Sequence, residues 1–148
     1  MSDWTDDQIL AMLRRALEAA DPVPETARRA ARAAFTWRSI DAELAELVYD
    51  SAEEDVAGVR GTETARQVAF RAPGVEVEVM VTHSGGRRIV GQLVPPQSAR
   101  IELQTPDGNQ ITGTDTLGRF SFDDVPSGPA RLVVRGDDVV VVTEIVVI

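Results

Sequence analysis

From Arg66 to the end of the chain, short runs rich in β-branched residues alternate with turn sequences at near-regular intervals. That rhythm admits few folds. The candidate strands are 66–71, 75–83, 87–94, 99–104, 110–114, 119–122, 130–135 and 139–147. Between them stand Ala72-Pro73-Gly74, Ser84-Gly85-Gly86, Pro95-Pro96, Pro106-Asp107-Gly108-Asn109, Thr116-Leu117-Gly118, Pro126-Ser127-Gly128-Pro129 and Gly136-Asp137-Asp138, which supply the preset or positive φ that tight turns need. Val75, Val77, Val79 and Val81 alternate with Glu76, Glu78 and Met80, as in a strand with one wet face, whereas the unbroken Val139–Val142 run suits a strand buried on both faces. An antiparallel β-sandwich over 65–148 is the expected result.

The first fifty residues keep a different period. Thr5-Asp6-Asp7-Gln8 has the form of a capping box, and Ile9, Leu13, Ala16, Leu17 and Ala20 recur at helical spacing, so a helix is expected over 6–20. Asp21-Pro22-Val23-Pro24 breaks it. A second helix is expected over 24–50, continuous or kinked near Thr36 to Ser39, which gives a helical hairpin or arm ahead of the sandwich and an α+β class. It carries two apolar stripes: Ala30, Ala33, Trp37, Ile40, Leu44 and Leu47 on one side, and Ala27, Ala31, Phe35, Ala42, Ala45 and Tyr49 on another. Phe35 and Trp37 would point about 200° apart, so a short first helix can cover only one stripe. The other must pack on the β domain, on a second copy or on a partner. Residues 51–64, polar and glycine-bearing, read as a linker.

Composition narrows the function. With no cysteine, thiolate catalysis, disulfides and cysteine-ligated zinc are excluded. The net charge of −9 is shared by both halves and should repel phosphate backbones, so a basic protein surface is a better partner than nucleic acid. No apolar run reaches the roughly 20 residues of a membrane helix, and the acidic start is unlike a signal peptide, so a cytoplasmic, non-membrane protein is expected.

Two stretches resemble known families. The run Gly91-Gln92-Leu93, Ala99 to Leu103, Thr114-Asp115-Thr116-Leu117-Gly118-Arg119-Phe120-Ser121-Phe122 and Val125 to Val134 resembles a carboxypeptidase regulatory-like domain, a transthyretin-type seven-stranded sandwich. In that reading Asp115 and Gly118 form the tight turn, and Phe120 and Phe122 enter the core. Ala130 or Arg131 stands where an aromatic is usual. The resemblance implies an accessory binding or scaffolding module without an active site. Ala20 to Pro24 and Ala34 to Leu47 resemble small actinobacterial proteins found alongside extracytoplasmic-function sigma factors. With no His or Cys before His83, any sigma-factor clasp would be of the zinc-free kind.

Signals for chemistry are weak. His83 is the single histidine, and a triad with Ser84 or Ser98 lacks the G-x-S-x-G elbow. One histidine does not make a metal site. Asp123-Asp124 and Asp137-Asp138 lack the D-x-D-x-D-G calcium spacing, and the glycines lack the P-loop frame and its lysine. Arg28, Arg29 and Arg32 make a basic patch that reads best as a solvated face. The acidic residues Glu43, Glu46, Asp50, Glu53, Glu54 and Asp55 lie beside the apolar stripe, which is how a helix meets a basic groove.

The expected function is therefore non-enzymatic and regulatory, with no cofactor and no metal. Phe35, Trp37, Ile40, Leu44, Leu47 and Tyr49 would make the apolar contact, and Glu43 and Glu46 its charged rim. A sigma factor is the expected partner. The alternative is a structural adaptor or homo-oligomeric scaffold built on the sandwich, with a homodimer paired through the exposed helix.

Overall fold

The computed structural model describes residues 5–36, 41–54 and 65–148, and the chain divides into two compact units, 1–36 and 37–148. The first unit holds α1 (Asp6–Ala20) and α2 (Glu25–Thr36). The Thr5 amide donates to Gln8 Oε1 at 3.1 Å, and Asp6 and Asp7 occupy the positive end of α1. At the other end the Asp21 amide donates to the Leu17 carbonyl at 2.9 Å before the prolines intervene. The Pro24 carbonyl opens α2, accepting from the Ala27 and Arg28 amides at 3.0 and 3.1 Å.

The second unit holds β1 (Glu43–Asp50), a single helical turn α3 (Ser51–Glu54), β2 (Ala65–Ala72), β3 (Val75–Thr82), β4 (Arg88–Val94), β5 (Arg100–Thr105), β6 (Gly108–Gly113), β7 (Arg119–Phe122), β8 (Pro129–Arg135), β9 (Val140–Thr143) and β10 (Val146–Val147). The helix expected to run to Asp50 does not. Its described part ends at Thr36, and residues 43–50 form a strand of the second unit. Alanine, glutamate and leucine favour a helix locally, but here ladder partners on both sides outweigh that preference. β1 pairs antiparallel with β2 and parallel with β9. Of the expected linker, 51–54 is α3, and 55–64 lies outside the described residues.

The strands run β6-β5-β8-β9-β1-β2-β3-β4-β7 along one hydrogen-bonded path, mostly antiparallel, with β10 attached to β8. The sandwich expectation assumed two separate sheets; the pairing instead continues through β1. Nine strands laid flat would hold β6 and β7 about 38 Å apart at the usual spacing. Only residues 114–118 join those two strands, a reach of about 20 Å. The sheet must therefore curl toward a barrel. The link is fastened at both ends, by the Thr114 amide to the Ala99 carbonyl at 3.0 Å and by the Leu93 amide to the Gly118 carbonyl at 2.9 Å.

Alternation fills the inside. Val68 and Phe70, Val77 and Val81, Leu93, Ile101 and Leu103, Phe120 and Phe122, Leu132, Val134 and Val141 are all buried in one cluster. Thr143 is buried too, and its hydroxyl accepts the Leu132 amide at 2.9 Å. Among the described residues, no buried side-chain polar atom lacks a hydrogen-bond partner.

Candidate functional site

β1 is the strand on which most of the expected contact residues fall, and its side chains are sorted by pleat and bulge. Ala45 is fully buried and Leu47 half-buried, while Glu43, Leu44 and Glu46 face solvent. Register with β2 then slips between Leu47, opposite Phe70, and Tyr49, opposite Ala69. The extra residue, Val48, lets Val48 and Tyr49 both stay exposed and turns Asp50 inward.

An inward carboxylate needs a counter-charge, and Arg66 on β2 provides it. Its Nε donates to Asp50 Oδ1 at 2.8 Å and its second guanidinium nitrogen to Oδ2, while the Ala52 amide donates to Oδ1 at 3.0 Å. The Arg66 guanidinium holds the Asp50 carboxyl below its ordinary range, and that carboxylate raises Arg66 in turn. The remaining Arg66 nitrogen donates to the Val147 carbonyl at 2.6 Å, tying the C-terminal strand to the same pair. On the other side of β1 the parallel ladder ends at Ala45, whose carbonyl accepts the Glu144 amide at 3.1 Å; the Glu144 carboxylate accepts the next free amide, that of Leu47.

Beside Tyr49 the outer face of the sheet dips into a groove of about 320 Å³. Its axis crosses the strands along one row of paired residues: Tyr49, Ala69, Glu78, Gln92 and Arg119. A second row, Gln67, Met80 and Val90, forms its other wall. The small side chain of Ala69 leaves the room, with the tyrosine ring as a bank. Met80 and Val90 are exposed although apolar. Two of the polar lining groups are already held in place: Gln92 Nε2 donates to the Leu117 carbonyl at 3.1 Å, and Arg119 Nε to Asp115 Oδ2 at 2.9 Å. Asp115 also accepts the Leu117 and Arg119 amides, each at 2.9 Å, and these bonds, the Arg119 amide foremost, lower its pKa.

The structure therefore gathers Leu44, Glu46 and Tyr49 on the outer face of one strand, leaves Glu43 exposed at the strand's start on the same pleat as Ala45, and separates Leu47, which leans into the core. The single helical stripe that was to run through Ile40, Leu44 and Leu47 does not exist on β1, because strand geometry sends neighbours to opposite faces. Trp37 and Ile40 lie outside the described residues, and Phe35 falls within α2 in the other unit. Sequence reading missed the lining residues of β2 to β4. A signal was present in Met80, an apolar side chain on the wet face of the valine alternation.

His83 Nε2 accepts from Arg87 Nε at 3.2 Å. Asp123 pairs with Arg88 at 3.1 Å, and Asp137 and Asp138 line a recess with Gln97 and Ser98. Among the described residues, no three His, Cys, Asp or Glu side chains come together as a metal site, and no helix is long and apolar enough to cross a membrane. Comparison with family models, with curated proteins and with solved structures finds no match.

Proposed function

We propose that this protein is a non-enzymatic regulator that binds a basic protein surface through the outer face of β1 and the groove beside it. The observation that carries this reading is the exposure of Leu44, Val48 and Tyr49 on one strand, flanked by the exposed carboxylates of Glu43 and Glu46. Apolar contact with an acidic rim suits a partner that is apolar at its centre and cationic at its edge, and the net charge of −9 would steer such a partner inward. A rigid, hydrogen-bonded sheet beneath the patch keeps it preorganised, which lowers the entropic cost of association. The resemblance of the N-terminal stretch to proteins found beside sigma factors makes a zinc-free contact with an extracytoplasmic-function sigma factor the first partner to try, in the cytoplasm. The resemblance of the β half to carboxypeptidase regulatory-like sandwiches supports an accessory rather than a catalytic role.

Titration calorimetry of the full chain against an extracytoplasmic-function sigma factor tests the reading. Leu44→Glu and Tyr49→Ala should each weaken binding by tenfold or more without lowering the unfolding midpoint. Unchanged affinity in both variants would sink the β1 surface.

A second reading, a homo-oligomeric scaffold, is favoured by a separate observation: every residue of α1 is exposed.

A further inference from the structure

Three acidic residues stand on strands β2 to β10: Glu76, Glu78 and Glu102. Glu76 pairs with Arg71 at 3.0 Å and Glu102 with Arg135 at 3.7 Å, but among the described residues no cation pairs with Glu78. Its side chain is exposed in the middle of β3, on the groove beside β1. The arginines nearest in the ladder are already engaged, Arg71 by Glu76 and Arg119 by Asp115 at 2.9 Å. Ala69 is paired with Tyr49 on one side and with Glu78 on the other. The tyrosine and the glutamate therefore stand two strand spacings apart, about 9.5 Å, with only a methyl group between them. Next to Glu78 in the same row, Gln92 donates Nε2 to the Leu117 carbonyl, which turns its Oε1 the other way as a second acceptor.

We infer that this groove is a socket for one arginine side chain of a basic protein, with the guanidinium held between the Tyr49 ring and the Glu78 carboxylate. Other occupants fit less well. An apolar group would cover the Glu78 carboxylate and leave it unpaired, and an anion would be repelled by it. A cation is required, and the aromatic lining favours one that stacks. A guanidinium is planar, so it lies along the ring while its fork of donors reaches Glu78 and Gln92 Oε1 together. An ammonium reaches the carboxylate but has no planar face to lay on the ring. Met80 and Val90, exposed by 39% and 41%, lie where the methylene stem would run. The groove, at about 320 Å³, is near the lower end for ligand pockets, enough for a side chain and too little for a folded segment. The inference deepens the reading of the β1 surface and rests on it for the source of the arginine.

Heteronuclear NMR on the full chain tests it, with N-acetyl-arginine methylamide as the probe and its lysine and citrulline counterparts as controls. The arginine amide should shift the backbone resonances of Ala69, Met80 and Gly91 with a dissociation constant of about 1–10 mM, while Leu103 in the core stays still. Citrulline, equal in shape but neutral, should leave the groove unshifted, and lysine should bind at least about threefold more weakly than arginine. Glu78→Gln and Tyr49→Ala should each weaken arginine binding about fivefold, and Tyr49→Phe, which keeps the ring, should restore it. Both side chains are exposed, so the rest of the spectrum should remain native. No shift at about 50 mM arginine amide, equal binding of citrulline or lysine, or indifference to Glu78→Gln would each overturn the socket. Leu44 lies outside the groove, so the calorimetric effect of Leu44→Glu reads the β1 surface separately. Its absence, with arginine still bound in the groove, would sink the surface alone; its presence, with no arginine bound, would sink the socket alone.

Discussion

The ring of Phe120 lies under Gly91, its direct partner across β4 and β7, so closely that a Cβ on residue 91 would sit 2.2 Å from the ring's Cζ. The glycine is what allows an aromatic residue at this place in the core, and the ring in turn covers backbone that the glycine leaves bare. Phe122 meets the same ring edge-on, with centroids 6.1 Å apart and planes at 66°.

Gly91→Ala should therefore destabilise the β unit by about 2–3 kcal/mol, through overpacking rather than through lost contacts. Adding Phe120→Leu should restore part of that loss, although Phe120→Leu alone is itself destabilising. Urea unfolding of the three variants reads this coupling directly; strict additivity would show that the ring and residue 91 do not collide.

The Asp50–Arg66 pair predicts a pH dependence of definite sign. A carboxyl whose folded pKa is depressed stabilises the fold fully above its unfolded value, near 3.8, and the contribution fades as pH falls through the folded value. Asp50→Asn should cost about 2 kcal/mol at neutral pH. The gap between native and variant should close below pH 4. Urea midpoints between pH 3 and 7 measure it, and a gap that stays constant or widens on acidification would contradict the pair's role.

Gly118 holds φ at +73°, and a Cβ there would lie 3.0 Å from both the Leu93 carbonyl oxygen and Pro96 Cα. Gly118→Ala should cost about 1–2 kcal/mol, from the left-handed backbone together with the crowding. Since the Gly118 carbonyl also accepts the Leu93 amide, the strain falls on the β6–β7 link. Exchange protection at Leu93 should drop more than at Val77, deep in β3; uniform loss would contradict a local effect.

Strand alternation in β1 gives a fourth expectation. Ala45→Leu should destabilise by about 2 kcal/mol, because its methyl group is enclosed by the core. Leu44→Ala, one residue earlier and exposed, should change stability by less than about 0.5 kcal/mol. Thermal unfolding of the two variants distinguishes this from a helical segment with both residues half-covered.

That same strand marks where sequence reading stopped working. The β2 to β8 runs were legible because β-branched alternation and turn glycines agree with each other, and their bounds fall within about two residues of those expected. The valine run at 139 suggests one strand to 147, but it divides at Glu144, whose carboxylate serves β1 while Val146 moves to Ala130 on β8. Glu43 to Leu47 has strong helix formers at i, i+3 and i+4 spacing, and nothing local contradicts them until Val48 and Tyr49. Its strand identity comes from partners distant in the chain, which no window of sequence contains. The contact surface suffered accordingly: its residue types and acidic rim were visible, but the groove depends on cross-strand register, with Ala69 set between Tyr49 and Glu78.

The pairing of β1 also fixes an order of events during synthesis. Of the ten described strands β1 leaves the ribosome first, yet the carboxylate that serves its Leu47 amide lies 97 positions further on, and β9 is just as late. Until then a nascent chain can assemble β1 to β4 and β7 but must carry β1 with one flank unsatisfied, a row of backbone groups open to any extended segment nearby. Chaperone protection should matter most in that interval, and truncation before Val140 should convert a self-contained sheet into one that recruits neighbours.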